Sequence, residues 1–246
     1  MDNLTATAAS GMRSRLQALD ILANNMANAS SRGYKADREM YSLYAAADAR
    51  DANTGAGQTQ PWIHHSWTDF SQGILQPTGD PLDVALVGNG FLSVRGAMGT
   101  VYTRNGSLRV SPTGELLAVE DRPVLDANNQ PIRVDPSRPL EIDASGTLKQ
   151  GGNTLVRLGV VEFPKPEELV KAGQSYFHSP GAGNSPRQAT GTEVRQGQTE
   201  SSNAGSAESA VRLVTVLRQF EMLQRAISLG SEMNRHAIEE VGKVTP

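Results

Sequence analysis

Helical periodicity appears at both ends of this chain and encloses a body whose apolar residues alternate or fall in short runs. Leu4, Ala8, Met12, Leu16, Leu19, Ala23 and Met26 follow one another at intervals of three or four, which predicts one narrow apolar face on a helix over residues 4–29. That helix would be roughly 39 Å long. Asp2 and Asn3 can cap its start and Gly33 marks its end. Near the other end, Leu213, Val216, Leu217, Phe220, Leu223 and Ile227 form a broader apolar face, which Gly230 and Met233 extend. Ser206 is the expected cap and Glu208 suits the first-turn dipole. Two amphipathic helices at opposite ends of one chain most simply pair antiparallel, as a coiled coil. The small residues Ala226, Ser228, Gly230 and Ser231 leave room for close contact with a second subunit.

Between the helices the period changes to two. Leu82, Val84 and Leu86 alternate with Asp83, Ala85 and Val87, and Gly88-Asn89-Gly90 then predicts a turn into a strand at 91–94. Asn105-Gly106 between VYTR and SLRV predicts a hairpin. Pro112-Thr113-Gly114, Asn128-Asn129 and Ser145-Gly146 punctuate further short strands, and 155–163 reads as one continuous strand. Residues 167–173 predict a short helix or turn, and 176–191, rich in Gly, Ser and Pro, a returning loop. The predicted class is α+β: a helical stem from residues 1–35 and 205–246, an extended connector at 36–72, and an inserted all-β domain of antiparallel hairpins at 73–204.

The polar positions of the first helix are unusual. Asp20, Asn24 and Asn28 repeat every four residues with Asn25 beside them, although asparagine is a poor interior helix former. They predict a ladder of amide donors and acceptors that bonds neighbouring helices in an assembly. Trp62, His64, His65 and Trp67 form the other conspicuous group. Adjacent strand residues face opposite ways and no ligand spacing accompanies them, so packing is the expected role rather than metal or ring binding.

Composition narrows the function. The chain has 246 residues, 38% hydrophobic and 5% aromatic, so a large apolar core is not expected. A net charge of -3 gives no handle for nucleic acid or an anionic membrane. With no cysteine, disulfides and thiol chemistry are excluded. No stretch approaches the roughly 20 apolar residues of a membrane helix, and Arg13, Arg15, Gln17 and Asp20 interrupt any signal-like run. Gly88-Asn89-Gly90 precedes a strand, not the helix that a phosphate loop needs, and no acid-base pair or nucleophile motif stands out. No catalytic residue, cofactor, metal site or small-molecule substrate is expected.

Four blocks carry a resemblance. Ala23-Asn24-Asn25-Met26-Ala27-Asn28 with Gly33-Tyr34-Lys35, then 81–91 (PLDVALVGNGF), then Tyr102-Thr103-Arg104-Asn105-Gly106, then Gly197 with Glu200-Ser201-Ser202-Asn203, closely resemble, in order, signatures of bacterial flagellar rod and hook proteins. Met26, Leu92 and Thr199 depart from the usual residues. The resemblance implies a structural subunit, most similar to the proximal rod, with the distal rod or hook as alternative; an envelope carbohydrate-binding module is a further reading. It implies a helical tube that transmits motor torque across the periplasm, with copies of itself and other rod proteins as partners. It also implies export through the flagellar type III apparatus without a cleaved signal. Assembly would then rest on Leu19, Ala23, Asn24, Asn25, Asn28, Gly33, Leu217, Phe220, Leu223 and Ile227, the Asn stripe fixing register between subunits.

Overall fold

A computed structural model describes the backbone of residues 3–45, 59–173 and 175–243; the side chains of 3–7, 40–45, 59–65, 182, 234, 237–238 and 240–243 are not described. The chain is α+β and separates into two compact units. One comprises Met1–Met26, Asp37–Trp67 and Ser206–Pro246, the other Ala27–Ala36 and Thr68–Gly205.

In chain order the first unit contributes α1 (Asn3–Ala27), β1 (Asp37–Ala45) and β2 (Thr59–Thr68). In the second lie β3 (Leu75–Pro77), β4 (Val84–Val87), β5 (Phe91–Gly96), β6 (Gly99–Thr103), β7 (Arg109–Val110), β8 (Leu116–Leu117), β9 (Glu141–Ile142) and β10 (Thr147–Gln150). There follow β11 (Asn153–Arg157), β12 (Val160–Glu162), β13 (Val170–Lys171), β14 (Tyr176–His178), β15 (Arg187–Gln188), β16 (Glu193–Gln196) and β17 (Gln198–Glu200). The last element, α2 (Ser206–Lys243), returns to the first unit.

In the helical unit, α1 does not bury the stripe that its spacing predicts. Ala8, Gly11, Ser14, Ala18, Leu22 and Asn25 are buried, whereas Leu16 is 46% exposed, Met26 is 42% exposed and Ala23 is open. Close approach explains the rotation. A Cβ on Gly11 would stand 3.5 Å from a Leu223 methyl, and Ala18 and Leu22 pack with Val216, Leu213 and Leu19. Small side chains let the helices meet; larger ones would hold them apart. The contacts run in opposite chain directions, Gly11 with Leu223 and the 18–22 turn with 213–216. The face predicted on α2 does turn inward, with Val216 buried and Phe220, Leu223 and Ile227 half-buried, while Leu217 is exposed. Where a connector is expected, β1 and β2 pair with each other. The side chains of Trp62, His64 and His65 lie outside the described residues; Trp67 is exposed.

The second unit is all β, and its central sheet runs β13-β14-β6-β5-β12-β15, each neighbour antiparallel. Both faces are covered. Leu92, Val94, Val101 and Tyr176 join an aliphatic core with Leu116, Val124, Ile132, Leu148 and Leu158, while Phe91, Tyr102, Phe163, Leu169 and Phe177 fill the other side. That core is larger than the composition suggests, because short strands deliver Val, Leu and Ile from many points in the chain to one place. Tyr176 and Phe177, read as loop, form β14 instead: adjacent strand residues serve opposite faces, and each is 1% exposed. The same two-sided cover buries Val84, Ala85 and Leu86 in succession on β4, which pairs with β16 and not with β5.

One turn expectation and one strand expectation fail. Asn105-Gly106 does not close a hairpin: β6 pairs with β5 and β14, and a Cβ on Gly106 would meet the Val84 carbonyl oxygen at 1.7 Å. The glycine is there for that close approach. The run 155–163 breaks into β11 and β12 at Gly159, where a Cβ would stand 2.6 Å from the Asp126 carbonyl oxygen. The turns expected at Pro112-Thr113-Gly114, Asn128-Asn129 and Ser145-Gly146 form and share one geometry. The peptide N–H of Ser111, Asp126 and Asp143 each donates to the carbonyl of the residue four positions on, the carbonyl of each accepts the N–H of the residue three positions on, and those fourth residues, Gly114, Asn129 and Gly146, take left-handed φ of 81°, 60° and 79°. In each, the side-chain oxygen of the first residue accepts the peptide N–H of the fifth, at 2.8–3.0 Å. This is a type I turn followed by a left-handed residue, repeated three times.

Candidate functional site

Parts of all four sequence blocks meet inside the β unit, around one carboxylate. Glu200, at the end of β17, Lys35, in the segment after α1, and Arg104, after β6, are all within 1% of complete side-chain burial. Lys35 Nζ donates to Glu200 Oε1 at 2.6 Å and to the Ser71 carbonyl at 2.7 Å. Arg104 donates to Glu200 Oε2 at 3.3 Å and to the carbonyls of Leu86 and Gly88, its guanidinium 5.2 Å from the centre of the Phe91 ring. Gly73 N–H closes the carboxylate's shell at 2.7 Å. Burial lowers the pKa of Lys35 and of Arg104, and Glu200 opposes the shift in both. Two cations share one anion, and carbonyl dipoles supply the rest of the compensation. Arg104 Nε is left without a partner among the described residues.

Main-chain bonds extend the cluster. Gly33 N–H donates to the Glu200 carbonyl at 2.8 Å. At Gly33 φ is +66°, and a Cβ would come within 2.3 Å of Asn105 N, so only glycine fits. Asn203 accepts from Ala36 N–H and donates to the Asp69 carbonyl, each at 2.7 Å. Lys171 lies over the Tyr34 ring at 4.4 Å and donates to the Lys35 carbonyl at 2.8 Å. Arg32 reaches Asp83 at 3.3 Å and Ser107 Oγ at 2.7 Å, a second tie to the 81–91 block. The segments that follow α1 and precede α2 in the chain are thereby locked side by side into one hydrogen-bonded core. Such an arrangement can hold and orient; it offers no exposed nucleophile or acid-base pair.

The residues expected to carry assembly are placed differently from one another. Asn25 is buried and pairs with its own chain, Nδ2 to the Asp37 carbonyl at 2.7 Å and Asp37 N–H to Oδ1 at 3.0 Å. Asn24 is exposed, and Asn28, half-buried, accepts from Ser31 Oγ at 3.1 Å. Leu19, Phe220, Leu223 and Ile227 are half-buried, Ala23 and Leu217 exposed. Gly33 belongs to the charge cluster. Sequence reasoning missed Lys35, Arg104 and Glu200 as a group, although each stands within a quoted block; their signal was unlike charges in separate blocks.

Three family models match: "Flagella basal body rod protein" over residues 6–35, "Flagellar hook protein FlgE/F/G D1 domain" over 85–150, and "Flagellar basal body rod FlgEFG protein C-terminal" over 195–240. The flagellar basal-body rod protein FlgF of Salmonella typhimurium is 30% identical, covering 93% of this chain and 94% of that protein. FlgF of Caulobacter vibrioides is 28% identical over 99% of this chain and 100% of its own length. The hook-basal body complex protein FlhP of Bacillus subtilis is 28% identical over 92% and 95%.

Proposed function

Given that the chain belongs to the flagellar basal-body rod family, as a FlgF-like structural and non-enzymatic subunit of the basal body, we propose that it works as a proximal rod element. In this reading α1 and α2 form an antiparallel coiled coil that packs with copies of itself and with other rod proteins in a helical tube. The tube carries motor torque across the periplasm. The subunit reaches it through the flagellar type III export apparatus without a cleaved signal. The observation that best supports this is the amount of apolar surface the two helices leave open: Leu16, Met26, Val211, Val214, Leu217, Met222, Leu229 and Met233 are all at least 42% exposed. A self-contained stem would cover such residues; an assembly subunit covers them with neighbours.

In this reading the Asn24, Asn25 and Asn28 stripe fixes register between subunits. The test is the Asn24→Ala, Asn28→Ala double variant, expressed in cells that lack the native protein. We expect the β unit to keep its native thermal transition while rod assembly and motility fall at least tenfold. Normal motility would discard the amide ladder.

A further inference from the structure

On the Phe91 side of the central sheet lies a cavity of about 220 Å³, lined by the polar Ser93, Thr100, Tyr102, Asp126, Asn129 and Gln188 and by apolar residues that include Val161 and Pro186, wholly within the β unit. Register builds its floor. Ser93 on β5 stands directly opposite Tyr102 on β6, so their side chains emerge together on one face. Gln188 on β15 is brought alongside by its pairing with Val161 on β12. Tyr102 is held edge-to-face against Phe163 at 4.8 Å, which fixes where its hydroxyl lies. The floor is deep, with Ser93 1%, Tyr102 7% and Asp126 8% exposed, whereas Asn129 and Gln188 stand at the open rim.

The lining's hydrogen-bonding capacity is largely unused within the chain. Asp126 takes the N–H groups of Asn128 and Gln130 on the same oxygen, Oδ1, at 2.8 Å each, which aims the carboxylate and leaves Oδ2 for another donor. None of the side-chain bonds described above engages the Ser93, Thr100 or Tyr102 hydroxyls or the Asn129 and Gln188 amides.

Charge and size then select the ligand class. No Lys or Arg lines the cavity and one carboxylate does, so an anion is disfavoured. A single carboxylate is too few for a divalent cation, and among the described residues no group of three potential ligands occurs. The volume is below the roughly 300 Å³ at which pockets for drug-sized molecules begin. What remains is a small neutral molecule with several hydroxyls, able to donate to Asp126 and Gln188 and to accept from Tyr102, Ser93 and Asn129. We propose that this cavity binds one ring of a neutral sugar.

The experiment is saturation-transfer NMR on the full chain with glucose, N-acetylglucosamine and the trimer of the latter, with inorganic phosphate as the anionic probe. At least one sugar is expected to bind saturably in the millimolar range. Its affinity should fall at least fivefold in Tyr102→Phe, which keeps the packed ring, and in Ser93→Ala. Phosphate should not compete. Absence of saturable binding by every sugar, binding undiminished in both variants with native amide spectra, or displacement by phosphate would each overturn the assignment.

Discussion

Glu200 shows what a single residue does in this chain. It has no solvent, two buried cations beside it and a main-chain N–H on the same oxygen as Lys35. The variants at this cluster should therefore differ in severity. Glu200→Leu leaves Lys35 and Arg104 buried without their anion, and loss of one partner of a buried ion pair typically costs about 3–5 kcal/mol. Lys35→Met removes one of two cations, retains the Arg104–Glu200 pair, and relieves the burial that pushes the lysine pKa down. Its cost should be less than about half that of Glu200→Leu. Urea midpoints for the transition of the β unit give the comparison directly. Equal losses in the two variants would mean that Lys35, not Glu200, is the centre of the cluster. The sequence placed all three residues in recognisable blocks, but Lys35 and Glu200 are 165 positions apart, and periodicity carries no information about such a pair.

At the scale of elements, legibility followed how local the cause was. The turns at Ser111, Asp126 and Asp143 are readable because each is built from its own five residues, with Gly or Asn where φ must be positive. Asn105-Gly106 misled because its glycine answers to Val84, a distant backbone. The stripe on α1 misled because what faces α2 is decided by size as well as polarity, and Gly11 and Ala18 do not register as apolar anchors. Strand β14 was invisible among Gly, Ser and Pro, yet it supplies Tyr176 to the larger core. There the Tyr176 hydroxyl donates to the Val119 carbonyl, and burial pushes its pKa up to about 12. The sign of the pH effect follows. In the unfolded chain the phenol ionises near its usual value of about 10, so between about pH 10 and 12 the unfolded state holds fewer protons and stability falls as pH rises. Across that window the loss amounts to about 2–3 kcal/mol at most. Tyr176→Phe should be somewhat less stable at pH 8, through the lost hydrogen bond, but should show a shallower decline above pH 10. Parallel alkaline unfolding curves for the two proteins would show that Tyr176 does not set the decline.

For the whole molecule, the two units differ greatly in what holds each together. The β unit has an aliphatic core, an aromatic cluster and the buried charge cluster. Among its described residues the helical unit has one small cluster, Ala18, Leu22 and Val216 with Leu19 and Leu213 beside it, and an ion pair from Arg212 to Glu39 at 2.8 Å. Fully burying a Leu or Val side chain yields only about 1.5–3 kcal/mol, whereas ordering each helical residue costs roughly 1–2 kcal/mol before its hydrogen bond is counted. A 38-residue helix with so little cover therefore sits near the edge of stability on its own. Hydrogen exchange along the full chain should show two classes. Amides of 3–27 and 206–243 should exchange through openings of about 1–3 kcal/mol, while those of β5, β6, β12 and β14 should need most of the β unit's global unfolding. Tyr34, Lys35, Glu200 and Asn203 lie next to the helices in sequence but belong to the β unit, so they should exchange with the slow class. Protection of both helices as strong as that of β5 would mean that the exposed Val211, Met222, Leu229 and Met233 are covered in the free protein, by self-association. Fast exchange confined to the helices would instead place their folding at the step where neighbouring subunits supply the missing surface.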